Sequence, residues 1–458
     1  MLRTSLLSLL LVSALFADDA DDLLEGFDEP TQVESKVDDV MDGFDDAPSS
    51  ADEGDDVMAG FDDESVAENT DEEESLLARY GIEGKFTQSA AYSFHNKAPH
   101  DGLSSLKSLL FLEYNYDLPK GYKLKINGNA FYDFSYAIKG RDDFSKEDKD
   151  ALESQVELFD AYIQGSLSDN LDIKAGHQVV VWGKSDTIRI TDVINPLDNR
   201  RPAMTDIEDL RLPEAMVKLD YYHDNWRISP IMIVQQRFNK NPPFRGDFNP
   251  SPKKFPSQDT PNSPSYALNI AGEFSGFDVD FYLATIYAQD ELGLPFVNHS
   301  KKMKMFGTAL NYVYESWLLK GEFAYKKDFV FLQSGDAKFD RVDSLIGFEY
   351  KGIADTTLSY DFANKHMTES SKAFEQDTYQ HAFRATSDFL NATLHGNYLI
   401  ALFGEKLDEG GFQRAWMKYD IADGISANFG LVDYIGGSTM FDAIDDNDML
   451  FMDVSYSF

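Results

Sequence analysis

The sequence predicts an all-β fold, a transmembrane antiparallel β-barrel of about 18 strands with 16 as the alternative, behind an acidic N-terminal arm. Three observations predict it: long runs of apolar/polar alternation, connections that alternate between short and long, and an apolar ladder in the last strand. Tyr122, Leu124, Ile126, Gly128, Ala130, Tyr132, Phe134 and Tyr136 share one face of an extended segment. Lys123, Lys125, Asn127, Asn129, Asp133 and Ser135 share the other, with Phe131 the exception. Thr356–Phe362 and Ala392–Leu402 repeat the pattern. Apolar-out and polar-in is what a barrel in lipid requires, and closure satisfies every backbone group that hydrocarbon cannot.

The connections separate this pattern from a soluble sandwich. Short turns are expected at Leu118–Gly121, Ser168–Asn170, His223–Asn225, Ser275–Phe277, Tyr314–Ser316, Lys351–Ile353, Leu390–Asn391 and Ala422–Gly424. Long connections are expected at His95–Ser104, Ala137–Ser154, Gly183–Leu212, Arg237–Ser263 and Gln289–Lys301. Four more follow at Val330–Ala337, His366–Phe374, Gly404–Gly410 and Gly436–Asn447. Short turns on the periplasmic side and long loops outside are the asymmetry of transmembrane barrels.

Three domains are expected: residues 1–17 as a signal peptide, 18–79 as an acidic periplasmic arm, and 80–458 as the barrel. Arg3 followed by the apolar run Leu6–Phe16 and then Ala17 reads as a cleavable export signal, too short to span a bilayer. Residues 18–75 hold 25 Asp and Glu against one Lys, a large part of the net charge of −39. A segment so acidic and poor in apolar residues does not offset its ordering entropy when free. Within it, three blocks 17 residues apart repeat two Asp, two aliphatics, any residue, Gly, Phe, Asp and an acid. Gly26-Phe27, Gly43-Phe44 and Gly60-Phe61 mark them. A docking motif for a periplasmic or inner-membrane transport partner accounts for the fixed Gly-Phe, and three linked copies would add avidity. A solvated tether is the alternative; cation binding lacks the spacing of a calcium loop.

At the other end, Leu450, Met452, Val454, Tyr456 and Phe458 face one side. Aromatic-x-Phe, here Tyr456 and Phe458, resembles the signal read by the barrel assembly machinery of the outer membrane of Gram-negative bacteria. A second resemblance runs from Gly176 to Val217. Gly176-His177-Gln178 and Trp182-Gly183 are followed by Val193-Ile194-Asn195-Pro196-Leu197-Asp198, and then by Leu212-Pro213. This segment resembles a family of outer-membrane barrels of unknown function, related to alginate-export-type channels. The resemblance implies transport of a hydrophobic or amphiphilic solute.

The same segment is unusual as an outer loop. Eight aliphatics, among them Ile188, Ile190, Val193 and Ile194, stand with Arg189, Arg200, Arg201, Arg211 and six acids, including Asp192 and Asp198. A solvated loop has no use for so many aliphatics, so the loop is expected to fold inward or to cap the mouth. Strand parity puts Lys174, Gln178 and Trp182 on the lumen face, with Asp160 and Tyr162 on the strand before. Lys184 and Asn195 complete the candidate constriction. Its arginines either select anions or pair with the neighbouring acids. The proline-rich Arg237–Ser263 stretch is expected to be extended and semi-rigid, a lid or a surface epitope.

Cysteine is absent, which excludes disulfides and thiolate metal sites. No basic face supports nucleic-acid binding. Eight scattered His and no hydrolase, zinc-protease or phosphate-loop motif argue against an enzyme, and no cofactor or metal is expected. A channel with outer-membrane lipid around it is the expectation. A structural or adhesion barrel that tethers the membrane to a periplasmic partner is the alternative.

Overall fold

The computed structural model describes residues 81–458, apart from 250, 252, 255–257, 292–293 and 439–440. The export signal and the Gly-Phe blocks lie outside the described residues. Eighteen strands form one sheet, each hydrogen-bonded to the next in chain order, and β1 closes on β18. They are β1 (Ile82–Ser93), β2 (Gly102–Leu118), β3 (Tyr122–Asp133), β4 (Ser154–Ser168), β5 (Leu171–Gln178) and β6 (Glu214–His223). Next come β7 (Trp226–Ile233), β8 (Ser265–Phe274), β9 (Phe277–Tyr287), β10 (Lys302–Tyr314), β11 (Trp317–Phe329) and β12 (Phe339–Ile353). The last are β13 (Thr356–Met367), β14 (Asp377–Phe389), β15 (Leu394–Phe403), β16 (Gly411–Ala422), β17 (Ile425–Ile435) and β18 (Met449–Ser457). All pairs are antiparallel, and because β1 closes on β18 no strand edge is left open.

Register fixes the two faces of this closed sheet. Phe86 pairs Leu110, Leu110 pairs Ala130, Leu283 pairs Phe306 and Phe306 pairs Tyr325, all pointing outward. Large apolar residues at outward positions, such as Leu158, Leu283, Ile346 and Met452, are exposed on an outer band. Exposed aromatic rings stand near both ends of it, Tyr92 and Tyr266 at one and Trp317, Phe389 and Tyr456 at the other, as interface-seeking rings do. Among the described residues no helix is long and apolar enough to cross a membrane.

The closing strand carries its own lock. Phe458 and Gly84 exchange backbone hydrogen bonds at 2.8 Å in each direction. A Cβ on Gly84 would lie 2.4 Å from Phe458 Cζ, so the glycine leaves the ring room against β1. Tyr456 is exposed on the outer face and lies 5.9 Å, ring to ring, from Phe458.

Several boundaries differ from the sequence expectation; the turn expected at Leu390–Asn391 runs on through Ala392 and Thr393, with β15 starting at Leu394. β3 ends at Asp133, although alternation continues to Tyr136. Asp133 accepts from Ser105 Oγ (2.5 Å), the Leu106 amide (2.9 Å), the Ser135 amide (3.0 Å) and Ser135 Oγ (2.6 Å), which turns the chain into helix α1 (Ser135–Lys139). Tyr136 is then buried against Phe144 and Leu152, the latter in helix α2 (Lys146–Leu152), and not on the lipid side. The β12–β13 turn falls at Ala354 and Asp355, past Lys351–Ile353, because a register irregularity after Tyr350 extends β12.

Candidate functional site: the lumen and its inserted loop

The connection between β5 and β6, residues 179–213, enters the barrel. β5 stops at Gln178, earlier than the sequence pattern suggests, so Trp182 is a loop residue. Gln178 is buried and donates to the Lys174 and Met216 carbonyls at 3.1 and 3.2 Å. Asn195 then pins the base of the loop at both ends. Its Oδ1 accepts from the Val180 amide at 2.8 Å, and its Nδ2 donates to the Leu212 carbonyl at 2.9 Å. Val180, Trp182, Ile188, Ile190, Val193 and Ile194 are buried in one cluster with inward-facing side chains such as Met216, Tyr282, Met305 and Leu345. Burial of a full side chain of this kind contributes about 1.5–3 kcal/mol. Hydrophobic packing therefore holds the first half of the loop to the inner wall. Trp182 stacks on Tyr282 of β9 at 4.6 Å.

Polar anchors set where that half lies. Glu322 of β11 is buried and accepts four hydrogen bonds: from the Lys184, Ser185 and Thr191 amides (2.7, 3.0 and 3.1 Å) and from Thr191 Oγ1 (2.7 Å). A carboxylate survives burial when its lone pairs are filled in this way. Gly183, at φ +87°, passes so close that a Cβ would sit 2.9 Å from both Glu322 carboxylate oxygens. Asp361 of β13 accepts from Ser185 Oγ (2.7 Å) and Thr187 Oγ1 (2.6 Å). Lys184 pairs with Asp280 at 3.2 Å, and Asp186 with Lys320 at 3.0 Å.

Most of the loop's own arginines are paired. Asp192 Oδ2 lies 3.0 Å from both Arg189 Nε and Arg211 Nε. Arg200 chelates Asp198, Nε to Oδ1 at 2.8 Å and Nη2 to Oδ2 at 2.5 Å, and also donates to the Ala151 carbonyl. Burial raises the Asp198 carboxyl's pKa, but the Arg200 hydrogen bonds and charge outweigh it and hold it below the usual range. Arg201 donates to the Ser104 carbonyl at 3.2 Å. Burial opposes its charge, and the fields of Asp247 and Asp133 overcome that.

The second half of the loop reaches the opposite wall. Pro202 O accepts from Tyr434 Oη of β17 at 2.6 Å. Asp206 bridges two arginines, Arg384 of β14 at 3.1 Å and Arg414 of β16 at 3.0 Å. Helix α3 (Ile207–Leu210) follows and turns the chain back towards β6. Glu208 and Asp209 in it have carboxyl pKa values pushed up by burial and by neighbouring acids, Asp209 and Asp206 for the first and Asp206 for the second.

The first part of the Arg237–Ser263 connection crosses over this loop, while Lys253, Lys254, Asp259 and Thr260 further along are exposed. Asn239 Oδ1 accepts from the Leu197 amide at 2.7 Å, and Lys240 forms a parallel bridge with Asp198. Phe248 is buried against Tyr434 at 5.2 Å, and Asn447 Nδ2 donates to the Asp247 carbonyl at 2.9 Å.

The wall of β14–β18 and β1–β3 is different. Leu109, Phe111, Phe131, Leu399 and Trp416 point inward by register and are only partly buried. Lys85, Lys107, Arg384 and Arg414 stand among them, with Arg414 over the Trp416 ring at 3.9 Å. Lys174, Asp160 and Tyr162 face the lumen on β4 and β5, Lys174 Nζ over the Tyr162 ring at 3.9 Å. The structure does not bring these three to the Arg200–Arg201 segment. Glu322, Asp361, Arg384 and Arg414 were not singled out in the sequence. Their inward parity was readable, but which of many inward charges meets the loop was not. Among the described residues no group of three or more His, Cys, Asp or Glu is placed to hold a metal ion.

A closed eighteen-stranded antiparallel barrel with an outer apolar band and a loop folded through its lumen has the fold class of outer-membrane barrels. The chain belongs to the DUF1302 family of proteins of unknown function, whose model matches residues 93–458. Among solved structures it is similar to Pseudomonas aeruginosa OccK2 (OpdF) in complex with glucuronate, at 10% identity and TM-score 0.51, covering 82% of this chain and 97% of that one. It is also similar to Pseudomonas aeruginosa OpdK with vanillate, at 10% identity and TM-score 0.50, covering 82% and 98%. A third is Acinetobacter baumannii OccAB2, at 10% identity and TM-score 0.49, covering 82% and 97%. No curated protein matches the chain. At these identities the likeness is one of fold.

Proposed function

We propose that this chain is an outer-membrane channel that passes an amphiphilic anion, an apolar or aromatic group bearing a carboxylate. The observation that carries the reading is the division of the lumen. One wall is covered by the first half of the loop, while the other keeps partly exposed apolar and aromatic side chains beside Lys85 and Lys107, with Arg384 and Arg414 held among them by Asp206. Cations next to aromatic faces suit an organic anion, whose charge meets the basic groups while its apolar part lies on the rings. The structures of OccK2 with glucuronate and OpdK with vanillate support a carboxylate as the class. The Gly176–Val217 resemblance supports an amphiphilic solute and a relation to alginate-export-type channels.

The short turns then face the periplasm, with the acidic arm on that side. The repeats at Phe27, Phe44 and Phe61 dock a periplasmic or inner-membrane partner. The purified full-length chain in a planar bilayer tests the channel: discrete conductance steps, a preference for chloride over potassium, and block by vanillate are expected. A barrel that inserts and never conducts, yet whose arm captures a periplasmic protein unless the three Phe are replaced by Ala, would favour a structural tether instead.

A further inference from the structure

The outer face carries a feature that transport through the lumen does not use. Across the eighteen strands, the outward register holds Lys or Arg at Lys302, Lys304 and Lys327 alone. All three lie at the external ends of two neighbouring strands, β10 and β11, and Lys304 and Lys327 are direct register partners. The chain is strongly acidic overall, so this clustering does not follow from general basicity. A charge on the lipid side is costly at the bilayer midplane and tolerated near the interface. Their level is therefore that of the outer-leaflet headgroups.

The three ammonium groups are not equally occupied. Lys302 Nζ donates to the Pro264 carbonyl at 2.5 Å and lies over the Tyr287 ring at 4.9 Å. Lys327 Nζ is 3.7 Å from Asp340, whose Oδ2 already accepts from Tyr325 Oη at 2.5 Å. Lys304 is exposed and has no ion-pair partner among the described residues. Directly beside Lys304 and Lys327, a groove of about 450 Å³ opens on the outer face. Tyr266 and Thr285 stand at the level of the lysines, and Leu268, Leu283, Phe306 and Tyr325 lie one step deeper towards the membrane centre. Thr285 is small between Tyr266 and Lys304, its register neighbours, which leaves the depression.

We propose that this groove binds a phosphorylated, acylated lipid of the outer leaflet, with its phosphate on Lys304 and Lys327 and an acyl chain against Leu268, Leu283 and Phe306. Cationic groups at headgroup depth attract anionic lipid, and an adjoining apolar channel selects for an anchored ligand over a free phosphate.

The test is native mass spectrometry of the full chain in detergent, titrated with lipid A and with dephosphorylated lipid A. A retained lipid A adduct is expected, with the dephosphorylated form held far more weakly. Lys304→Ala with Lys327→Ala should weaken the adduct about thirtyfold, from the attraction typical of two surface lysines. Lys372→Ala with Lys406→Ala, which removes exposed loop lysines elsewhere, should leave it unchanged. Heat-modifiable migration on a gel verifies that each variant is a folded barrel. Equal retention of both lipids, an adduct unaffected by the double substitution, or equal loss in the control pair overturns the site. So does self-association through this face that is independent of lipid.

Discussion

Asp206 is the point at which the lumen loop is latched to the far wall, and Asp206→Ala should release it. Two charge-assisted hydrogen bonds are lost, each worth about 1.5–3 kcal/mol in a shielded setting. Arg384 keeps 23% of its side chain exposed, Arg414 only 7%, so the first bond falls at the low end of that range and the second above it. Against the latch, two arginines left free regain water. A net loss of about 3 kcal/mol follows, which moves the balance between docked and released segments about a hundredfold. The Tyr434–Pro202 bond and the packing of Met204 remain, so the residues around Asp206 swing while Ile188, Ile190 and Ile194 stay in place. In a planar bilayer the variant should show larger, noisier conductance and a reversal potential shifted towards anions, since Arg384 and Arg414 then face the solution. Asp206→Asn, which keeps shape and weaker bonds, should fall between. Conductance and selectivity identical to the parent chain would refute both the latch and the placement of the permeation path beside it.

Two further outcomes follow from the same geometry. Glu208 and Asp209 carry raised carboxyl pKa values because of burial and neighbouring acids; their ionised forms are penalised in place, a penalty absent at low pH that develops as pH rises through the ordinary carboxylate range and above it. Acidification from about pH 7 to about pH 4 should therefore remove lumen negative charge earlier than free carboxylates would and shift the reversal potential towards anions; an unchanged titration in Glu208→Gln with Asp209→Asn would show that other groups are responsible. Gly84→Leu should hinder closure of β1 on β18, because a Cβ there meets Phe458 at 2.4 Å; overpacking of this kind costs about 1–3 kcal/mol, read as a smaller heat-modifiable folded fraction on refolding of the purified chain in detergent, where no assembly machinery acts, and partly restored there by Phe458→Ala.

Strand number and the order of short and long connections were legible because lipid on one side and polar contents on the other impose a period of two over most of the barrel. Errors fell where a side chain competes with the ladder. Asp133 ends β3 by gathering donors from Ser105, Leu106 and Ser135, while Phe134 and Tyr136 prolong the apparent alternation. The loop between β5 and β6 was recognisable as packed from its aliphatics, and its arginines from their acidic neighbours. Its anchors were not recognisable. Glu322 and Asp361 are single acids on inward positions, no different in sequence from Glu349 or Asp343, and their meaning depends on which loop amides arrive opposite them. The lysines on the outer face were equally silent, since Lys304 and Lys327 become neighbours only through the β10–β11 register.

The loop's foot at β5 and β6, and its ties to Asp361, Arg384 and Arg414 on β13, β14 and β16 across the ring, have a mechanical consequence. A ring of eighteen hydrogen-bonded strands is a thin hoop that lateral pressure from the bilayer can flatten into an ellipse. A segment fixed at its β5–β6 foot by Asn195 and tied at its far end to β14 and β16 acts as a cross-brace, so the bore holds its outline and the spacing between these two walls is set by the length of one loop.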